Sequence, residues 1–304
     1  MTAQKVAVTG ASGAMGSRLV GLLEDGGFDV VALQRDSSFT HTGKVTVRPF
    51  QLTDTVDRIA QQLEGVDQLV HLAAISSSKV AGAEGDSSLW TTNVLGTQRL
   101  IDAMVMANIK RFVLAGAANV YRTDLIEAFE DSAFGPQSRI LYLASKAAQE
   151  WLAASMCQEN EIDHAILRIS SVIGDGQSIV DKLARDLARG NPVKIHDGAA
   201  FGADFIDCED VCLGLLLAVE TRLNGVYNLS SGKRTELIDI VMKLADFLNC
   251  PPDAIQMVHA NRPPDIGFPA INSDRLQNFG FMPKPLADVL QRIAQKARSH
   301  EVVP

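Results

Sequence analysis

The sequence predicts an α/β protein: a parallel β-sheet covered by helices on both faces, followed by a smaller and more irregular region. Short, almost continuously apolar runs alternate with amphipathic helical patterns through the first half of the chain. That alternation is typical of parallel strands buried on both faces. After Gly174 the elements become shorter, and seven of the eleven prolines lie between residues 250 and 285.

The individual elements follow from the periodicity of apolar residues. Strands are predicted at Lys5–Gly10, Asp29–Gln34, Val45–Phe50, Asp67–Ala73, Arg111–Gly116 and His164–Ser170. Helices are predicted at Gly16–Asp25, Ser88–Met106, Ala144–Gln158, Ile179–Arg189 and Leu237–Leu248. We place residues 1–174 in a sheet domain that also receives segments around 204–230, and residues 175–304 mostly in a second domain.

Composition excludes several classes of function. The 304 residues include 28 basic and 36 acidic side chains, a net charge of −8. With no basic stripe to neutralise phosphates, we expect no nucleic-acid partner. The longest apolar stretch, near residues 213–219, is far short of the roughly 18 residues of a spanning helix, so we expect no membrane insertion.

Cysteine and histidine usage points to a cytoplasmic protein without a metal. The N-terminus has no signal-peptide pattern, and the four cysteines lack any CxxC pair. The six histidines are scattered, with no pair at i, i+4 spacing, so no metal site is predicted. His71 ends a predicted buried strand, and we expect a structural role for it.

A glycine-rich turn follows the first strand. Residues 9–16 read TGASGAMG, a GxxGxxG spacing that opens a helix. Glycine is needed where the backbone turns tightly and approaches a pyrophosphate, and the helix N-terminus presents N–H groups to the phosphates. An ordinary Gly-rich turn is the alternative, but the strand–turn–helix context favours dinucleotide binding. The predicted contacts are Gly10, Ser12, Gly13, Ala14, Met15 and Gly16.

The end of the second strand favours NADP over NAD. An acidic residue there would bind both ribose hydroxyls of NAD. Gln34 instead carries no charge to repel a 2′-phosphate, and Arg35 can pair with one bidentately. Ser37 and Ser38 can add hydroxyl donors. The alternatives are that Arg35 is a solvated loop residue, and that Asp36 serves NAD.

Tyr142 and Lys146 form a YxxxK pair on one face of a predicted helix. A phenol has a pKa near 10, and a neighbouring ammonium is expected to lower it. Such a pair can move a proton at a carbonyl or carbinol oxygen while a nicotinamide moves the hydride. A surface tyrosine with an unrelated lysine is the alternative. The glycine turn upstream favours the catalytic interpretation.

With these motifs the chain resembles the extended short-chain dehydrogenase/reductase family, which includes sugar-nucleotide epimerases, dehydratases and ketoreductases. The similarity covers nearly the whole chain. Its other matching segments are HLAA at 71–74, NVLGT at 93–97, NVY at 119–121, Glu150, Arg168, Gly174, ADFIDCEDV at 203–211, GVYNLSSG at 225–232, RPPD at 262–265 and NSDRLQNFGFMP at 272–283.

The resemblance implies a Rossmann-type doubly wound parallel sheet of seven strands with a smaller C-terminal substrate-binding domain. It also implies a homodimer through the helices around Ser88–Met106 and Ala144–Gln158, and a bond from Lys146 to the nicotinamide ribose. Arg262 would reach the diphosphate of a nucleotide-sugar, or else be a surface residue before a Pro-Pro turn. The other implied contacts are Leu72, Ala73, Ala74, Asn93 and Tyr142 for the cofactor, and Ser76, Ser77 and Ser171 for the substrate.

The chain departs from the family at the position of a Ser or Thr that bonds the reacting oxygen. Ala117 stands there, and losing one such donor typically costs about 10²–10³ in rate. Three explanations are open. Asn119, or a serine among residues 76–78, supplies the hydrogen bond; the chain is a weakened Ser→Ala variant; or it binds cofactor without turnover.

Further departures bear on the substrate. Ala203 replaces the Arg that usually precedes Asp-Phe in sugar-nucleotide members, and Ser171 stands where Asn is common. Ala118 and Asn119 replace the acidic pair of the dehydratases, which disfavours elimination of water. We therefore expect an NADP-dependent ketoreductase or epimerase for a nucleotide-linked hexose. The alternatives are a reductase or dehydrogenase for a smaller, non-nucleotide carbonyl or sugar, and a non-catalytic NADP-binding regulator.

Overall fold

Seven strands form the central sheet in the order β3-β2-β1-β4-β5-β7-β11. The computed structural model describes residues 3–35, 40, 43–76, 87–135, 141–196, 201–258 and 266–299. In chain order the strands are β1 Lys5–Thr9, β2 Asp29–Gln34, β3 Thr46–Pro49, β4 Gln68–His71, β5 Arg111–Ala117, β6 Glu127–Ala128, β7 Asp163–Ile169, β8 Ser171–Ile173, β9 Val193–His196, β10 Gly202–Asp207, β11 Gly225–Leu229, β12 Arg234–Glu236, β13 Ile255–Val258 and β14 Ala270–Ile271.

The helices of the described residues follow the predicted pattern within three residues at each end where one was predicted. They are α1 Ala14–Asp25, α2 Val56–Gln62, α3 Gly96–Met106, α4 Leu141–Glu159, α5 Ile179–Ala188, α6 Cys208–Glu220, α7 Leu237–Leu248, α8 Asp274–Gln277 and α9 Leu286–Ser299. One prediction needs refinement: the single helix expected over Ser88–Met106 contains a π-helical turn at Trp90–Leu95 before α3 begins.

The predicted parallel sheet, buried on both faces, is confirmed. Ala7, Leu69 and Phe112 pack in one apolar cluster with residues of α2, α3 and α4. Their strand neighbours point to the opposite face and are equally buried; Val6 and Val113 are examples. This two-sided burial explains why the strands read as continuous apolar runs rather than alternating ones.

Strand register brings two polar side chains to the same edge of the sheet. In the parallel β1–β4 pair, Thr9 lies opposite His71. Both are the last residues of their strands, so both lie at the carboxyl edge, where open α/β sheets bind ligands. The glycine turn begins at this edge, directly after Thr9.

The chain divides into two compact units that interleave along the sequence. The first comprises residues 1–120, 136–168 and 212–227; the second comprises 121–135, 169–211 and 228–304. The sequence predicted residues 1–174 and segments around 204–230 for the sheet domain, and residues 212–227 of the first unit lie within those segments. Residues 121–135 join the second unit because β6 pairs with β14. Residues 212–227 join the first because β11 pairs with β7 in the central sheet.

The second unit has its own small sheets and apolar core. Strands β12, β10 and β8 form one sheet, and β9 and β6 pair with β13 and β14. Helices α5, α7 and α9 pack together over a cluster that includes Val180, Val241 and Ile293. This unit therefore has a hydrophobic core distinct from that of the central sheet.

Two glycines of α1 provide a matched test of how closely the glycine turn is packed. A Cβ at Gly16 would lie 2.1 Å from the Gly10 carbonyl oxygen, whereas a Cβ at Gly21 meets nothing within 4 Å. We expect Gly16→Ala to lower the free energy of unfolding by about 1–3 kcal/mol, because backbone must move. Gly21→Ala should raise it by up to about 1 kcal/mol, through a better helix former.

Urea unfolding of both variants, followed by circular dichroism, measures this difference. If both substitutions change the free energy of unfolding equally, the inference that α1 packs closely on the glycine turn is contradicted.

Candidate active site

The glycine turn is shaped to receive a phosphate group at the N-terminus of α1. Gly10 has a φ of +69°, in the left-handed region that favours glycine. Gly13 N donates to Gly10 O at 3.0 Å, which closes the turn just before α1. A Cβ at Gly10 would lie 3.0 Å from Ala73 N, so the turn runs directly over the segment that follows β4.

The first turn of α1 leaves backbone N–H groups without helical acceptors. A Cβ at Gly10 would crowd the backbone of Ala73, and one at Gly13 would crowd the Gly10 carbonyl oxygen, so the turn keeps its close path with glycine at both positions. The N–H groups at its end suit a dinucleotide pyrophosphate. The turn residues predicted from the sequence therefore fit this group. The role of each as a cofactor contact remains a prediction.

Thr9 joins the turn to the end of β4. Its Oγ1 accepts hydrogen bonds from Leu72 N and Ala73 N, both at 3.1 Å, and lies 2.7 Å from His71 Nδ1. Leu72 and Ala73, both predicted cofactor contacts, are thus held beneath the glycine turn. Ala74 follows them and is exposed.

Two residues at the end of β2 were predicted to face the adenosine ribose. Gln34 is buried, and Arg35 is exposed just beyond the strand. Ser37 and Ser38, predicted as further contacts, lie outside the described residues, as does Asp36. The structure therefore places one neutral and one cationic side chain at the strand end.

Asn93, predicted to contact the cofactor, braces the segment after β4 against helix α4. Its side chain accepts from Ile75 N at 2.9 Å and donates to Ile75 O and Ser145 Oγ, both at 3.0 Å. Ser145 Oγ in turn donates to Tyr142 O at 2.7 Å. Asn93 lies in the π-helical turn, so the start of α4 is tied to that turn and to the segment that ends at Ser76.

Lys146 lies in the interior with its ammonium bonded to the protein. It is 5% exposed, and its Nζ donates to Ala115 O at 2.8 Å and to Gln149 Oε1. Burial lowers the pKa of Lys146 from 10.5 to about 8, against the opposing effect of the Glu150 carboxylate. The ammonium is thus mostly protonated at neutral pH, but it can give up its proton far more readily than a surface lysine.

The predicted direction of the Tyr142 pKa shift is wrong. The sequence predicted that Lys146 lowers the pKa of the phenol, but burial raises it. Desolvation disfavours the phenolate, and it outweighs any stabilisation by the ammonium one helical turn away. The Tyr142 phenol is therefore neutral at physiological pH and is prepared to donate a proton.

Ala117, Ala118 and Asn119, which replace polar residues of the family, lie at the end of β5 and in the turn that follows it. Ala117 is the last residue of β5, two positions after the Ala115 carbonyl that holds Lys146. Asn119 follows in a short 3₁₀ turn over Ala118–Val120 and is half-buried. A side chain that can donate therefore stands two positions after the alanine that cannot.

The predicted substrate contacts are described only in part. Ser76 is half-buried in the first unit, and Ser171 is half-buried on β8 of the second. Ser77, Ser78 and Arg262 lie outside the described residues. Ala203 is fully buried in the apolar cluster of the second unit, so the position of the family's usual Arg faces hydrophobic side chains.

Two polar residues near Lys146, Gln149 and Thr97, were not predicted as site residues from the sequence. Gln149 bonds its ammonium directly, and Gln149 Nε2 donates to Thr97 Oγ1 at 2.8 Å. Thr97 Oγ1 also lies 3.0 Å from His71 Nε2. The spacing of Gln149, three residues after Lys146, is a usable signal, because i, i+3 side chains share a helix face.

His71 was expected to be structural, and its environment accords with that role. It is 1% exposed, and burial, assisted by the nearby Lys146 charge, lowers its pKa from 6.5 to about 3. The imidazole is therefore neutral throughout the physiological range.

A buried ion pair fixes α4 against the sheet. Arg168 Nε donates to both Glu150 carboxylate oxygens, at 2.9 and 3.1 Å, and one terminal nitrogen donates at 2.6 Å. Both side chains are at most 7% exposed. This fork stabilises the helix turn that follows Lys146 and supplies the carboxylate that keeps the lysine charged.

Membrane-crossing helices and metal-binding clusters are both absent from the described part of the chain. It contains no helix of the length and apolarity that crossing a bilayer requires. Within the same residues, no three His, Cys, Asp or Glu side chains come together as a metal site.

Comparison with known proteins gives this site a context. The profile of the NAD dependent epimerase/dehydratase family matches residues 6–230. The dTDP-glucose 4,6-dehydratase of Streptomyces griseus is 29% identical over 303 residues, which cover 93% of this chain and 90% of that protein. The low-salt glycan biosynthesis protein Agl12 of Haloferax volcanii is 27% identical over 296 residues, 92% of this chain and 93% of that protein.

A solved structure agrees with this comparison. MoeE5 in complex with UDP-glucose and NAD superimposes with a TM-score of 0.85 at 28% identity, covering 97% of this chain and 99% of MoeE5. These similarities confirm the resemblance to the extended short-chain dehydrogenases/reductases and the predicted fold class.

Acid sensitivity tests the buried neutral state of His71. Because the folded-state pKa lies below that of the unfolded chain, stability present above pH 6.5 is lost as pH falls toward 3. The loss is about 1.4 kcal/mol per pH unit in that window. We expect His71→Gln to remove this part of the acid dependence of unfolding. The control is His164→Gln, a half-buried histidine on β7. The free energy of unfolding is measured with denaturant between pH 7 and 4. If it falls equally with pH in wild type and His71→Gln, the assigned role of His71 is contradicted.

Proposed function

Because the chain belongs to the NAD-dependent epimerase/dehydratase family, we propose that it is an NAD(P)-dependent oxidoreductase that transfers a hydride at a sugar carbon of a nucleotide-sugar. The observation that carries this proposal is the buried Lys146 beside Tyr142 on α4, joined by hydrogen bonds to the segment under the glycine turn. A purely structural lysine would gain little from such burial, since removing a charge from water is costly.

Each residue has a distinct task in this reaction. The glycine turn binds the pyrophosphate, and a bound nicotinamide supplies the chemistry of hydride transfer. Lys146, with its proton donors partly committed to Ala115 O and Gln149, presents its remaining donor to the nicotinamide ribose. Tyr142 exchanges a proton with the substrate oxygen.

The raised pKa of Tyr142 suits the step in which a carbonyl is reduced. A neutral phenol donates a proton to the alkoxide that forms in that step. An epimerase includes the same step after an initial oxidation, so the proposal covers both a ketoreductase and an epimerase.

The missing hydroxyl at residue 117 limits the rate unless another donor replaces it. We propose that Asn119 does so, because its amide lies in the turn directly after β5. The serine at position 76 is the other described candidate. Elimination of water is disfavoured, since Ala118 and Asn119 stand where the dehydratases carry acids.

The substrate class rests on the relatives. MoeE5 binds UDP-glucose, and the Streptomyces griseus relative is named for dTDP-glucose, which supports a nucleotide-linked hexose here. A specific observation favours a second candidate, reduction of a smaller carbonyl compound: Ala203 faces an apolar cluster and offers no cation to a diphosphate. A non-catalytic dinucleotide-binding regulator is the third, prompted by Ala117.

Assembly and location complete the proposal. We propose a homodimer through α3 and α4, supported by the exposure of Met106, Trp90 and Trp151 at 59%, 44% and 63% on or beside those helices. A reducing, cytoplasmic environment agrees with four free cysteines.

Tyr142→Phe tests the catalytic assignment. We expect at least about a 100-fold loss of kcat with UDP-glucose or dTDP-glucose and their 4-keto forms, while dinucleotide affinity stays unchanged. The matched control is Tyr227→Phe, a buried tyrosine of the same unit whose hydroxyl donates to Asn224 O at 3.1 Å. Products are followed by chromatography and reduced nicotinamide by absorbance. Unchanged turnover in Tyr142→Phe refutes the catalytic role, and tight dinucleotide binding without turnover of any carbonyl supports the regulator.

Arg35→Ala tests the cofactor preference. Since Arg35 is exposed at the strand end, loss of a bidentate phosphate contact should weaken NADPH binding about 10- to 100-fold and leave NADH binding within about twofold. Arg58→Ala, an exposed arginine on α2, is the control. Affinities are measured by nicotinamide fluorescence. If NADH and NADPH bind equally, and the substitution affects neither, the cofactor is not selected by Arg35 and NAD becomes the better assignment.

A further inference from the structure

The hydrogen bonds around Lys146 extend from helix α4 to the glycine turn. They connect Lys146, Gln149, Thr97, His71 and Thr9 in one buried chain within the first unit. All five side chains are at most 5% exposed. Buried polar hydrogens are as a rule bonded to acceptors, so the directions of these bonds follow from the donors and acceptors around them. The longer contact of Gln149 Nε2 with His71 Nε2, at 3.4 Å, is a hydrogen bond only if that ring nitrogen carries no hydrogen.

From this chain we propose that Gln149 is a positioning residue for Lys146, and that the backbone beneath the glycine turn dictates the orientation of its amide. The proposal deepens the proposed function and rests on it for the role of Lys146. Gln149 is assigned no contact with the nicotinamide that carries the hydride or with Tyr142, which donates the proton. It acts through Lys146.

The direction of the first bond follows from the backbone. Thr9 Oγ1 accepts from Leu72 N and Ala73 N, so its own hydrogen is left for His71 Nδ1 at 2.7 Å. Nδ1 is therefore the acceptor of the imidazole. Because the ring is neutral, its single hydrogen is on Nε2.

The hydrogen bond between His71 and Thr97 in turn determines the orientation of the Gln149 amide. Thr97 Oγ1 donates to Asn93 O at 2.7 Å and receives the His71 Nε2 hydrogen at 3.0 Å. Its remaining lone pair accepts from Gln149 Nε2 at 2.8 Å. The reversed amide would set its NH₂ group against the Lys146 ammonium, donor against donor. The chain therefore turns Gln149 Oε1 toward Lys146.

As a consequence, Lys146 has one ammonium hydrogen that is bonded neither to Ala115 nor to Gln149. Of the three ammonium hydrogens, one is taken by Ala115 O and one by Gln149 Oε1. The third points where these two do not. Gln149 also stabilises the charged form of the lysine, offsetting part of the burial that disfavours it.

The titratable and charged groups that face Lys146 come from three strands or helices. His71 on β4 is neutral, and Tyr142 on α4 is a neutral phenol. Glu150 on α4 is paired with Arg168 on β7. Among the described residues, the carboxylate is the group that favours the ammonium by charge, and Gln149 favours it by direct hydrogen bonding.

The test measures the pKa of Lys146 directly, without turnover. Protein labelled with ¹³C-lysine is titrated by NMR, and the Lys146 signal is assigned by its loss in Lys146→Arg. We expect Gln149→Met, which keeps the size and removes the acceptor, to lower the pKa by about one pH unit. Gln149→Glu, which restores an oxygen and adds charge, should raise it above the wild-type value.

Two further variants separate positioning from general disturbance of the interior. Gln68→Met removes a buried glutamine at the start of β4, the strand that ends at His71, and should leave the Lys146 pKa unchanged. Thr97→Val removes the hydroxyl that orients the amide and should lower the pKa in the same direction as Gln149→Met. It tests the proposal even if Gln149→Met fails to fold.

An unchanged Lys146 pKa in both Gln149→Met and Thr97→Val overturns the inference, and so does an equal fall in Gln68→Met. These outcomes do not depend on the reaction. If Gln149→Met shifts the lysine titration while Tyr142→Phe keeps full turnover, the proposed function is wrong and the positioning of Lys146 stands. With both roles correct, the pH profile of kcat moves with the lysine pKa.

Discussion

The hydroxyl of Thr9 is the contact on which the site depends. It stands where β1 ends and the glycine turn begins, and it takes two backbone hydrogens from the segment after β4. That contact fixes how close the turn comes to Ala73, a distance that leaves no room for a side chain at Gly10. The same oxygen decides the tautomer of His71. The segment under the glycine turn and, through His71 and Thr97, helix α4 are thus connected by hydrogen bonds to this one side-chain oxygen.

Burial is the second constraint, and it acts on each group differently. It makes the lysine easier to deprotonate, keeps the phenol protonated and lowers the pKa of the imidazole to about 3, so that His71 is neutral at physiological pH. Only the lysine retains its charge, since it has a nearby carboxylate and two acceptors. The Glu150–Arg168 pair is neutral as a whole, which lets a carboxylate act on the lysine from inside the protein without remaining unpaired.

Much of this was accessible from the sequence, and the reasons for the failures are physical. The central strands were predictable because burial on both faces leaves a continuous apolar signal, and the glycine turn because few backbones can follow its path. The effect on Tyr142 was predicted with the wrong sign, since spacing along a helix reveals a neighbouring charge but not the loss of water. Thr9, Thr97 and Gln149 are ordinary residues in the sequence, and only the pairing of β1 with β4 and the packing of α3 and α4 bring them together. The place of residues 121–135 in the second unit was not predictable from local sequence, because the pairing of β6 with β14 joins residues far apart in the chain.

The interleaving of the two units has a consequence for biosynthesis. The chain passes from one unit to the other five times, and the edge strand of the large sheet is residues Gly225–Leu229. While the ribosome is still making the first two hundred residues, β7 has an exposed edge whose partner does not yet exist. An unpaired strand edge is a template for wrong pairing. The β7 edge is therefore closed only after residue 229 has emerged, about sixty residues after β7 itself is complete.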